Sequence, residues 1–134
     1  MNTKKSRPIT NLEEFESAIK LASLDDTELQ IIEYVRFIGT FSQPSLIKEL
    51  RIKSKPPILS RISTASRKIG IHMPTHFKKV REWSEMVSAE GVRWDGDLIC
   101  SAAWNIDGKR LCPEEGTSQF HIFAVHQELF QGFD

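Results

Sequence analysis

The side chains best equipped for chemistry lie toward the C-terminal end of this 134-residue chain. Cys100, Cys112, His121 and His126 are ligand types that zinc takes in a tetrahedron. Their spacing, Cys-x11-Cys-x8-His-x4-His, lacks the close cysteine pair of a compact finger. His121 and His126 also differ in parity, which puts them on opposite faces of an extended stretch. No metal is assigned to the four. His72 and His76 flank Met-Pro-Thr, which interrupts any regular helix that would pair them as ligands. Asp95, Asp97, Asp107, Glu114 and Glu115, with Lys109 nearby, are the groups from which a metal-dependent nuclease would have to be built. None has a recognised spacing, and Asp95-Gly-Asp97 and Asp107-Gly108 are better explained as turn formers. The sequence has neither a phosphate-cradling glycine loop nor a Gly-x-Ser-x-Gly elbow. The expectation is a chain that is not an enzyme and takes no cofactor.

Charge is the stronger signal. The 18 basic and 18 acidic side chains cancel, but they are not mixed. Residues 1–40 carry 5 basic and 7 acidic groups, residues 41–81 carry 10 and 1, and residues 82–134 carry 3 and 10. The middle block therefore stands at +9 and the last at −7. Local potential rather than total charge attracts a polyanion. The competing explanation is a solvated basic face paired with the acidic end.

The elements that must position this charge follow from apolar periodicity. Residues 1–10 form a basic arm with Lys4, Lys5 and Arg7. Asn11 and Glu14 open a capping box, followed by the stripe Leu12, Phe15, Ile19 and Ala22. Asp25 and Glu28 repeat the box before Leu29, Ile32, Val35 and Ile38. Ile31, Tyr34 and Phe37 widen that stripe, which predicts a central helix, and Gly39 stands where a C-terminal cap belongs. Ser42 or Gln43 starts a helix with Pro44 in its first turn and Leu46, Ile47 and Leu50 on its apolar face. After the basic connector Arg51–Lys55 and the pair Pro56-Pro57, Ile58, Ile62, Ala65 and Ile69 form a buried stripe ending at Gly70. Thr75 then caps a helix running to about Ala89, with Phe77, Val80, Trp83 and Val87 inward. Beyond Gly91 the period falls to two: Leu98, Cys100, Ala102 and Trp104 share one strand face, Asp107-Gly108 turns the chain, and Gln119–Val125 is apolar on both faces. The expected fold is α+β, an N-terminal helical bundle over 11–91 followed by a small antiparallel β-sheet in an acidic part, 92–134, packed on it.

The segment from Asp26 to Gly70 resembles a helix-turn-helix unit, with similarity to the winged-helix kind. LDDTELQIIEYVRFIG is the scaffold helix, FSQPSLIKELRI the supporting helix and KPPILSRISTASRKIG the recognition helix. The resemblance implies that the helix at 57–69 enters a major groove. Ser60, Ser63, Thr64 and Arg67 lie at i, i+3, i+4 and i+7, with Arg61 and Lys68 beside them. Small hydroxyls let the backbone approach and arginines reach guanine edges or phosphates. Lys48, Lys53 and Lys55 would meet phosphates, and Lys78 and Lys79, near His72, His76 and Arg81, extend the basic surface. Any wing would come from the later sheet.

The leading expectation is a sequence-reading binder of double-stranded DNA, a transcriptional regulator. Its acidic end would serve self-association, since Phe120, Ile122, Phe123 and Val125 offer more apolar surface than a small sheet buries, and a homodimer follows. A protein-interaction module docking an acidic partner through the basic centre is the first alternative, and a metal-dependent nuclease the second. No apolar run approaches the ~20 residues that span a bilayer. The opening Met-Asn-Thr-Lys-Lys-Ser-Arg-Pro lacks the apolar stretch of a secretory signal. With two cysteines, no disulfide framework is expected and a cytoplasmic location is the default.

Overall fold

The computed structural model describes residues 8, 12–38, 40–51, 57–102, 109 and 121–124. Five helices make up most of them: α1 (Leu12–Leu21), α2 (Asp26–Ile38), α3 (Gln43–Leu50), α4 (Ile58–Gly70) and α5 (Pro74–Val87). This overturns the α+β expectation. Among the described residues the chain is predominantly helical and no β-layer follows the helices; strands there are limited to β1 (Thr40–Ser42), β2 (Cys100–Ala102) and β3 (His121–Ala124), segments of three or four residues. They pair antiparallel in the order β1-β3-β2, with Thr40 opposite Phe123 and Cys100 opposite Ala124. One of the three comes from between α2 and α3, inside the helical region.

The period-two run begins at Cys100, in β2, and not at Leu98, for a physical reason. Leu98 is fully buried as the last residue of a 3-10 turn, Asp95–Leu98, that packs on α4 and α5. Burying Leu98 and Ile99 against two helices outweighs strand propensity, a weak preference that context reverses. The turn is tight: the Trp94 indole lies against Gly96, so a Cβ at Gly96 would overlap it. Trp104, the Asp107-Gly108 turn, and the apolar surface at Phe120 and Val125 lie outside the described residues, as does the basic arm except Pro8.

The helices start for reasons written in the sequence. Asp25 and Glu28 form a reciprocal capping box at α2: the Glu28 N–H donates to Asp25 Oδ1 at 2.7 Å, and the Asp25 N–H to Glu28 Oε1 at 2.9 Å. This satisfies two amide donors that a helix start leaves open. At α3 the Ser42 hydroxyl accepts from the Ser45 N–H at 3.2 Å, Pro44 lies in the first turn, and Arg51 closes the helix in the left-handed region at φ 55°. α5 begins at Pro74, with Met73 as its N-cap residue, two positions earlier than a Thr75 cap would give.

The core gathers Phe15 and Ala18 from α1, Ile31, Ile32 and Val35 from α2, and Leu46 from α3. From α4 it takes Ile58, Leu59, Ile62, Ala65 and Ile69, and beyond α4 it takes Met73, Val80, Leu98 and Ile99. α4 is its axis. The expected stripe Ile58, Ile62, Ala65 and Ile69 is buried, and so is a second line of Leu59, Ser63, Ser66 and Gly70. Only a narrow side of α4 meets solvent.

Candidate nucleic-acid interface

The solvent side of α4 carries Ser60, Arg61, Thr64, Arg67 and Lys68, of which Ser60 and Arg67 are exposed and the others half-buried. Ser63 falls on the buried side, away from that surface. One helical turn of displacement does not explain this. The 3-10 turn covers a second flank of α4, and nothing in residues 57–70 announces an element that arrives 25 residues later.

Cations on this side, Lys68 and Arg67, are already engaged. The Lys68 ammonium donates to Glu28 Oε1 at 2.9 Å, and Glu28 is buried. The bond ties α4 to the capping box of α2, so Lys68 works inside the molecule. The Arg67 guanidinium meets Asp95 Oδ2 at 3.2 Å through Nη1 and donates to Thr64 Oγ1 at 3.4 Å through Nη2. Its side chain remains 55% exposed. Exposed ion pairs of this kind contribute about 0–1 kcal/mol, so an incoming phosphate or base edge exchanges for Asp95 at small cost.

Asp95 is the organising residue. Besides Arg67, it holds Arg81 of α5 (Nε to Oδ1, 3.3 Å) and Arg93 (Nε to Oδ1, 3.4 Å). The carboxylate is 13% exposed, whereas Arg81 and Arg93 are 39% and 45% exposed. Three guanidiniums around one carboxylate leave two positive charges in excess on one patch of surface. Arg81 is braced from below, with its guanidinium carbon 5.2 Å from the centre of the Phe77 ring, a cation–π distance. Asp95 and Arg93 were not among the basic or recognition residues expected from the sequence. The four partners are scattered from 67 to 95, and only the packing of α4, α5 and the 3-10 turn joins them.

The other expected contacts are dispersed. Lys48 is exposed on α3, Lys78 and Lys79 are exposed on α5, and Lys53 and Lys55 lie outside the described residues. Lys78 lines an open depression of about 200 Å³ with Arg81, Glu82, Glu85 and Arg93. Trp83, whose spacing predicted the core, is buried.

Of Cys100, Cys112, His121 and His126, to which no metal was assigned, only the Cys100 side chain is described, and among the described residues no three His, Cys, Asp or Glu side chains are grouped to hold a metal ion. Cys100 is a buried free thiol. Cys112 and His126 lie outside the described residues, and only the backbone is described at His121. His76 is buried on α5 and His72 is exposed in the turn before it. Among the described residues no helix is long and apolar enough to cross a membrane.

Comparison of the chain with protein-family models, with curated proteins and with solved structures finds no match.

Proposed function

We propose that this chain binds double-stranded DNA and reads it with the solvent side of α4, as a transcriptional regulator of the helix-turn-helix type does. The observation that carries the reading is the narrow polar face Ser60, Arg61, Thr64 and Arg67 on a helix otherwise anchored in the core, flanked by the arginines gathered at Asp95. A rigid helix with short hydroxyl side chains and two arginines has the shape and donors that major-groove recognition needs. α3 and α4 both pack on α2, as a supporting helix and a reading helix must pack on their scaffold.

A nuclease reading loses support from the same cluster. Asp95 is surrounded by three guanidiniums, which repel a divalent cation, and Asp97 is fully buried. Docking of an acidic protein through the same basic surface is the competing reading, since local positive potential attracts either polyanion.

Titration of random and selected duplexes at several salt concentrations separates the two. A DNA reader shows log affinity falling linearly with log salt, and Arg61→Ala or Arg67→Ala costs roughly 1–3 kcal/mol on a preferred site. A folded protein whose duplex binding is absent, or indifferent to both substitutions, is not a DNA reader through α4.

A further inference from the structure

We infer that Arg81 and Arg93, held by Asp95, form a receptor for a single phosphoryl group, distinct from the face of α4. The inference rests on the DNA-binding reading for the backbone phosphate as its source, though the receptor itself is testable without DNA. Asp95 engages both arginines through Nε. Among the described residues, no carboxylate or hydrogen-bond acceptor meets the terminal nitrogens of either guanidinium. An arginine whose Nε side faces a carboxylate turns its two terminal amino groups outward as a planar fork, the geometry that grips phosphate oxygens in pairs.

Pre-ordering is the second point. The Arg81 Nε and Asp95 Oδ1 atoms are shut off from solvent and form an ion pair at 3.3 Å without completing a hydrogen bond, and the Phe77 ring supports Arg81. The backbone beside Arg93 is placed by Trp94, whose N–H and carbonyl are both bound to Ser84 of α5. The Arg81 guanidinium and the Arg93 backbone are therefore placed before a ligand arrives, which lowers the ordering cost of binding.

An open depression of about 200 Å³ lies beside them. Lys78 adds a cation to its wall, and Glu82 and Glu85 add two carboxylates. A long polyanion laid across the whole depression would meet those carboxylates. One phosphoryl group at the arginine end, with Lys78 within the same wall, would not.

The test uses the full chain, with Arg93→Gln and Arg93→Lys as variants and circular dichroism as the check of folding. In duplex titrations, Arg93→Gln should lower the salt slope by about one unit and weaken binding alike on every sequence, while Arg93→Lys keeps the slope and loses affinity. In parallel, inorganic phosphate should shift the Arg81 and Arg93 Nε–H resonances of the parent protein and leave those of Arg81 unmoved in Arg93→Gln. A phosphate response without duplex binding keeps the receptor, assigns it to a free phosphorylated molecule and rejects the DNA reading. Duplex binding with an unchanged slope in Arg93→Gln, and no response to phosphate, rejects the receptor and keeps the DNA reading. Polyglutamate binding that depends on Arg93, with no response to phosphate, rejects the receptor in favour of an acidic protein partner. If Arg93→Gln fails to fold, Arg93→Lys decides: full parental affinity and an unaltered phosphate response in it reject the fork.

Discussion

Ser84 holds Trp94 by both of its backbone groups: the Trp94 N–H donates to Ser84 Oγ at 2.8 Å, and the Ser84 hydroxyl donates to the Trp94 carbonyl at 3.3 Å. One buried hydroxyl on α5 thereby fixes the strand-like segment that places Arg93 on one side of Trp94 and Asp95 on the other. The hydroxyl is a structural part of the site although it touches no ligand.

Replacing it tests that role. Ser84→Ala leaves a backbone donor and acceptor unsatisfied in a half-buried place, at a cost of about 1–3 kcal/mol. Urea denaturation should show this loss. The arginine Nε–H resonances of Arg93 should broaden or shift in the same variant, which a remote packing defect would not produce. Unchanged stability and unchanged resonances would mean that the clip does not position the segment.

Gly70 makes a second prediction. A Cβ there would overlap the Phe77 ring, and that ring lies under the Arg81 guanidinium. Gly70→Ala pushes the ring outward and costs about 1–3 kcal/mol, the usual range for overpacking. Helix propensity alone would favour alanine by up to about 1 kcal/mol, so the sign of the change decides between propensity and packing. Stability in urea is the measurement, and a gain would show that Phe77 yields freely.

The Lys68–Glu28 bond joins α4 to the start of α2. Lys68→Met keeps the apolar stem but removes the ammonium from the buried Glu28 carboxylate and leaves it the Asp25 N–H. The loss of a charge-assisted bond should cost about 1.5–3 kcal/mol. The double change with Glu28→Gln should cost less than the sum of the two single changes. Additive thermal denaturation data would show that the pair is not coupled.

Tyr34, the one tyrosine of the chain, titrates above its ordinary value. Burial is the larger cause and the Glu49 carboxylate the smaller, since both disfavour a phenolate. A raised folded value means that the native state holds the proton more tightly than the unfolded chain does. The resulting stability is full below the unfolded value of about 10 and is lost as pH rises through the higher folded value. Phenolate absorbance should give a midpoint above 10, and Glu49→Gln should lower it only in part. A midpoint at the ordinary value would contradict the burial of the ring.

The sequence by itself determined the helices and most of their inner faces, although Leu29 and Ile47, expected on apolar faces, are exposed. Asp25 with Glu28, Ser42 before Pro44, and the 4, 3, 4 spacing of Ile58, Ile62, Ala65 and Ile69 are local instructions. Each acts within one or two turns, and the structure follows them. The +9 block at 41–81 was equally plain. Tertiary structure decided what those residues face. Ser63 is buried, and Leu98 lies in the 3-10 turn that packs across α4, ahead of the strand that begins at Cys100. Lys68 was drawn from the polar side of α4 to a carboxylate 40 positions away. Asp95, which its glycine neighbour marks as a turn residue, became the centre of three arginines from separate elements. Such contacts have no periodicity to read: they depend on which elements meet in space, and that is settled by burying Leu98, Ile99 and Trp83 rather than by the charges themselves.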